Sequence, residues 1–90
     1  MTDEELRQVW LVERSYGHDE DLVTLVYATV DGSLARKKQL SHNMLYGKTI
    51  TAARDESRDD LDEVRDDETR TRYAEEAARM AENHDPDDTV

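Results

Sequence analysis

The pair Asp31-Gly32 separates two strand-like runs, residues 22–30 (LVTLVYATV) and 33–40 (SLARKKQL), and no other feature limits the fold as much. Asp-Gly accepts the positive φ angles of a two-residue type I′ turn, the connection whose twist suits a β-hairpin. A tight turn also fixes register, because a one-residue slip would carry every side chain to the opposite face. Val30 is then expected opposite Ser33, Ala28 opposite Ala35, Tyr27 opposite Arg36 and Val26 opposite Lys37. One face collects Val23, Leu25, Tyr27, Leu34 and Leu40; the other collects Leu22, Val26, Ala28, Val30 and Ala35. Both faces of the middle strand are apolar, so each needs a cover.

The remaining segments follow from the same reading. Residues 6–14 (LRQVWLVER) form a first strand and residues 15–21 a polar loop. Residues 48–54 (KTITAAR) read as a short fourth strand, with a helix start as the competing reading at Ala52 and Ala53. From Asp55 onward no single helical stripe joins Leu61 and Val64 to the later set Tyr73, Ala74, Ala77, Met80 and Ala81. Residues 55–66 are therefore a charged linker, which Leu61 and Val64 anchor. Residues 67–83 are a helix with Glu68 in its first turn and Glu68–Arg72 and Glu75–Arg79 as i,i+4 pairs. Pro86 ends the pattern, leaving 85–90 as a disordered tail. The expected fold is α+β: one domain over 1–84, with a three- or four-stranded antiparallel meander (sheet 6–54) and one C-terminal helix packed on one face.

Charge separates the two halves. Residues 1–50 carry eight acids and six bases, residues 51–90 fifteen acids and six bases, within a net charge of -11. Only three bases are lysine (Lys37, Lys38, Lys48), phenylalanine is absent, and the apolar positions are mostly Val, Leu and Ala. In composition the whole chain resembles haloarchaeal cytoplasmic proteins, where concentrated salt screens like charges to about 3 Å and carboxylates keep the surface hydrated. The resemblance implies an acidic, halophilic, archaeal origin and brings no activity with it. The acidic start, Thr2-Asp3-Glu4-Glu5, lacks a leader's basic and apolar regions, and the greasy run 22–30 is too short to span a bilayer. A cytoplasmic location without a membrane is expected, and the lack of cysteine excludes disulfides and thiolate metal sites.

No constellation for chemistry stands out. The His18-Asp19-Glu20-Asp21 loop crowds adjacent ligands that rarely converge on one ion, and the acidic run 55–67 lacks the glycine a calcium loop needs. The three glycines are isolated, so nothing cradles a phosphate, and no Ser or Cys sits in a nucleophile motif. The expectation is no catalytic residue, no metal and no cofactor.

Two features point outward. Between Asp31 and Asp55 there is no acid, yet the stretch holds Arg36, Lys37, Lys38, Lys48 and Arg54. Alternation puts Arg36 and Lys38 on one face and Lys37 on the other. With Tyr27 close by, Arg36, Lys37, Lys38 and Lys48 suggest a small nucleic-acid-binding surface, phosphates on the cations and bases on the ring. Edge lysines that block sheet-to-sheet pairing account for the same residues. The second feature is a helix face made mostly of alanine, too thin to cover two sheet faces. The favoured expectation is therefore a non-enzymatic interaction module that binds a protein partner or a second copy through the open face, with Trp10, Val12, Val23 and Leu25 as interface candidates. Nucleic-acid binding is the alternative.

Overall fold

The computed structural model describes residues 5–16, 22–41 and 50–90. Among these residues five antiparallel strands, β1 (Leu6–Tyr16), β2 (Leu22–Ala28), β3 (Leu34–Ser41), β4 (Ala53–Ser57) and β5 (Asp62–Glu63), precede one α-helix, α1 (Asp67–Asn83). In space the strands run β4-β1-β2-β3-β5. The fold is the expected α+β meander with a C-terminal helix; the expected fourth strand over 48–54 appears as β4, shifted to Ala53–Ser57 and running into the segment read as a linker, which also supplies β5 at the other edge. The lower charge-free propensity of ARDES and DE hid this shift and β5: pairing with β1 and β3, not intrinsic preference, makes these residues extended.

The hairpin register is the one the sequence dictates, with Ala28 opposite Ala35, Tyr27 opposite Arg36 and Val26 opposite Lys37. The connection differs. Thr29 N–H donates to the Leu34 carbonyl at 3.0 Å and Gly32 N–H to the Thr29 carbonyl at 2.8 Å, so the loop spans 30–33 instead of two residues. The Asp31 carboxylate fills it, accepting from Thr29 Oγ1, Ser33 Oγ and Ser33 N–H at 2.6, 2.7 and 3.0 Å. Adding one residue on each side of a turn keeps the sum of paired positions constant, which is why register survived the change.

The sheet is strongly curled. Only Arg58–Asp60, a 3-10 turn, and Leu61 separate β4 from β5, yet these strands lie on opposite edges. Four strand spacings in a flat sheet come to about 19 Å. A path of five residues reaches about 17 Å when fully extended, and a 3-10 turn rises only about 2 Å per residue. The edges must therefore approach each other. The face carrying Val9, Leu11, Val23, Leu25 and Tyr27 becomes concave, and Leu61, passing from edge to edge, packs into it. In this way the chain covers with its own crossover the face that the sequence left open.

The convex face meets α1. Trp10, Ala52, Ala53 and Ala77 form its core, flanked by Val12 and Met80. A bulge between Leu11 and Glu13 lifts Val12 out of the pairing and turns Glu13 toward the helix. Arg72 therefore bonds Glu13 across the packing, at 3.3 Å, in place of the i,i+4 partner Glu68, and Arg79 pairs with Glu76 rather than Glu75. Asp66 caps the helix, accepting from Thr69 N–H at 2.9 Å.

The stretch beyond α1 is not frayed. Ala53 N–H donates to the Pro86 carbonyl, Ala52 N–H to Asp88, and Val90 N–H to Ile50, all within 2.9 Å. Pro86 ended the helix, as read from the sequence, but the freed residues continue the sheet outward at 50–53. Backbone pairing of this sort leaves no compositional trace, so a charged tail looked free.

Gly32 joins the hairpin to the helix. Its φ is +73°, and a Cβ there would collide with the Arg70 carbonyl oxygen and lie 2.9 Å from Ala74 N. Gly32→Ala is expected to lower stability by about 2 kcal/mol or more, combining the left-handed penalty with a clash against helix backbone; urea midpoints in concentrated KCl check this. The hydrogen bonds from Thr29 and Ser33 hold Asp31 well below the usual carboxylate range, at about 2. A depressed folded pKa contributes stability above about pH 4 that is lost as pH falls toward 2. With solvent screening the loss is about 1 kcal/mol, and Asp31→Asn is expected to flatten that part of the pH–stability curve.

Candidate functional site

Arg36 and Lys38 on β3 and Arg54 and Glu56 on β4 all point to the concave face, since Tyr27 pairs with Arg36 and with Leu11, and Val9 pairs with Arg54. In a flat sheet β3 and β4 would be three spacings apart, about 14 Å. The curl brings their side chains into contact. Arg36 Nη1 donates to Glu56 Oε2 at 3.3 Å and also lies 3.3 Å from Asp60 Oδ2. Lys38 Nζ is 3.4 Å and Arg54 Nε 2.7 Å from the other oxygen, Oε1. Glu56 is only 6 % exposed, the one buried charged side chain among the described residues.

The two carboxylate oxygens are held differently. Oε2 receives a directed hydrogen bond, whereas Oε1, although close to two cations, has none of good geometry. Lys38 and Arg54 thus share a single, imperfectly oriented oxygen, and around the whole cluster three cations face two carboxylates. Partial burial and the neighbouring Arg54 push the Lys38 pKa below the normal lysine range, against the opposing pull of Glu56. Burial likewise raises that of Tyr27, whose ring carries the Arg54 guanidinium 5.8 Å from its centroid.

Beside the cluster is a cavity of about 360 Å3 between β3 and the start of β4. Leu25 and Tyr27 of β2 lie along its floor, Leu40 and Ile50 add apolar wall, and Lys38 and Arg54 supply charge. Thr51 and Asp55 also line it; the Thr51 hydroxyl already donates to the Ala53 carbonyl at 2.7 Å. This is a concave pocket of mixed lining, with apolar walls, one carboxylate and two cations, of which the lysine is perturbed.

The residues singled out in the sequence divide in two. Tyr27, Arg36 and Lys38 do come together, joined by Arg54, which the sequence reading left in the background, and by Glu56, which it missed. One more charge in an acid-rich stretch carries no signal; only its burial does. Lys37 lies exposed on the opposite side of β3 from Arg36 and Lys38, so the basic window does not make one surface, and Lys48 lies outside the described residues. Tyr27 is 2 % exposed, which leaves no open ring face for a base. Trp10, Val23 and Leu25 are buried at 5, 0 and 1 % exposure, and Val12 is half-buried beside Trp10. The interface expected at these four positions is instead the protein's own core, because the curl and the helix close both faces. Among the described residues no three His, Asp or Glu side chains are grouped to hold a metal ion; the His18–Asp21 loop lies outside them. No helix among the described residues is long and apolar enough to cross a membrane.

Glu56→Gln keeps the shape and removes the charge that three cations share. Breaking a buried ion cluster from its carboxylate side costs about 3–5 kcal/mol, and the partial exposure of the cations here brings that to about 2–3 kcal/mol. Lys38→Met, which leaves Glu56 two partners, is expected to cost less than half as much; denaturant midpoints of the two variants give the comparison. No curated protein and no solved structure matches the chain. A family model matches residues 2–90, and the chain belongs to that family, a family of unknown function named DUF7967.

Proposed function

We propose that this protein is a non-enzymatic binding module that takes an anionic group into the cavity between β3 and β4. One observation carries the reading: Lys38 and Arg54 flank the cavity and share one carboxylate oxygen of Glu56, two cations brought to one concave site in a chain of net charge -11. A ligand anion there would meet both cations in a concave setting where Coulomb interactions are stronger than in water.

The earlier alternatives look different against this geometry. A protein-binding or self-associating role through an open sheet face loses its surface, since the residues proposed for it are buried; a protein partner fits only if it presents an acidic group to the cavity. A nucleic-acid role loses its stacking ring, and with Lys37 on the far side it keeps only scattered phosphate contacts. The composition supports a salt-rich cytoplasm as the setting, where bulk screening weakens surface attraction but acts less on groups inside a pocket.

Titration with acetate in about 1 M KCl, where the Debye length is near 3 Å, is the direct test. Amide and side-chain NMR signals of Lys38, Arg54 and Tyr27 are expected to move and saturate, and the Lys38 ammonium to titrate at higher pH once the anion is bound, since a bound anion favours the charged form. Unmoved signals at these residues, with a folded spectrum, would defeat the reading.

A further inference from the structure

We infer that Glu56 is the cavity's internal competitor: an incoming anion displaces its Oε1 from Lys38, while Arg36, which does not line the cavity, keeps the carboxylate in place. This deepens the anion-binding reading above and rests on it. Affinity is then set by how the cations are divided and not by a surplus of positive charge, because Asp55 lines the cavity too and Glu56 stands beside it.

Among the described residues three cations hold Glu56, and their contacts are unequal. Arg36 Nη1 makes a directed hydrogen bond to Oε2 at 3.3 Å. Arg54 Nε is 2.7 Å from Oε1, the length of a charge-assisted contact although its angle is poor. Lys38 Nζ is 3.4 Å from the same oxygen, the longest of the three and beyond ordinary hydrogen-bond length. Its ammonium sits on a flexible stem, with three donors and no fixed plane, so Lys38 is the partner that leaves at least cost. Arg54, if it left, would also give up the Tyr27 ring beneath its guanidinium.

Lys38 lines the cavity, and its side chain is 21 % exposed against 7 % for Glu56. The lysine therefore reaches an anion in the cavity, whereas Glu56 stays with Arg36, itself 3.3 Å from Asp60. A buried carboxylate that loses every counter-charge is strongly destabilising; with Arg36 and Arg54 retained, Glu56 keeps two of its three. Arg36 is thus a positioning residue, and Glu56 is the charge an anion works against. Partly shielded from water, that repulsion is felt more strongly than on an open surface.

The experiment replaces KCl with potassium acetate at a constant total of about 1 M on the full chain. Side-chain NMR signals of Lys38 Nζ, the Arg36 guanidinium and the Glu56 carboxyl carbon are followed. Lys38 and Glu56 are expected to move together with one saturation constant while Arg36 stays. Glu56→Gln is expected to bind acetate at least about tenfold more tightly, a difference of about 1.4 kcal/mol. Arg36→Gln is expected to bind it about tenfold more weakly, because Glu56 then depends on Lys38 and Arg54 alone. Each variant is checked for a folded spectrum, and the wild-type signals decide where a variant does not fold. A Glu56 signal that stays still while Lys38 saturates, or an unchanged acetate affinity in a folded variant, would overturn this inference and leave the anion reading intact. A Lys38 signal that does not respond to acetate would overturn both.

Discussion

Glu56 ties together strands that pairing alone would keep three positions apart. Hydrogen bonding builds β4 onto β1 and β3 onto β2, and nothing in that ladder requires the two outer strands to meet. The requirement comes from the short crossing at 58–61, which forces the edges together, and from the carboxylate on which Arg36, Lys38 and Arg54 then converge. A curled sheet has a concave face, and that face needs filling. Leu61 does part of it, entering beside Val9, Leu25 and Tyr27. The cavity is the part left unfilled.

Putting a carboxylate at 6 % exposure is costly unless its charge is met, and here the counter-charges outnumber it. That excess around Glu56 contrasts with the net negative charge of the chain. The chain carries a net charge of -11, and in a low-salt solution those like charges would repel one another and strain the compact state. The concave side runs the other way, with cations partly shielded from water beside aromatic and aliphatic side chains. Lys38 is held below the ordinary lysine range by this setting, first through partial burial and then through Arg54. The ion cluster that fixes β3 against β4 thus also forms one wall of the cavity.

The convex face shows how little apolar area can close a sheet. Ala77 is fully buried against Trp10, Ala52 and Ala53, and small side chains let the helix lie close, at some cost in buried area. Gly32 belongs to the same economy: the hairpin loop approaches the helix so closely that only a hydrogen fits between it and the Arg70 carbonyl. Residues 86–90 then seal the edge at 50–53 with backbone hydrogen bonds, and Val90 and Met80 touch both the convex and the concave core.

By itself the sequence determined whatever depends on local pattern. The register of β2 with β3 follows from alternation about Asp31-Gly32, and it held although the loop proved longer than two residues. The helix over 67–83 follows from its apolar spacing, an Asp cap and Pro86. The basic window gave half of the candidate site, Arg36, Lys38 and Tyr27, because acids are missing there and strand alternation assigns a face. What tertiary structure decided depends on distance through space. The extension of β4 beyond Arg54, strand β5 and the paired tail exist because a neighbour offers hydrogen bonds, not because Asp55, Asp62 or Asp88 prefers extended backbone. Trp10, Val23 and Leu25 are core and not interface because the curl supplied a cover that alternation cannot foresee. Glu56 differs from the other 22 acids only by its surroundings; charge is written in the sequence, whereas desolvation and convergence arise only when the chain has closed around them.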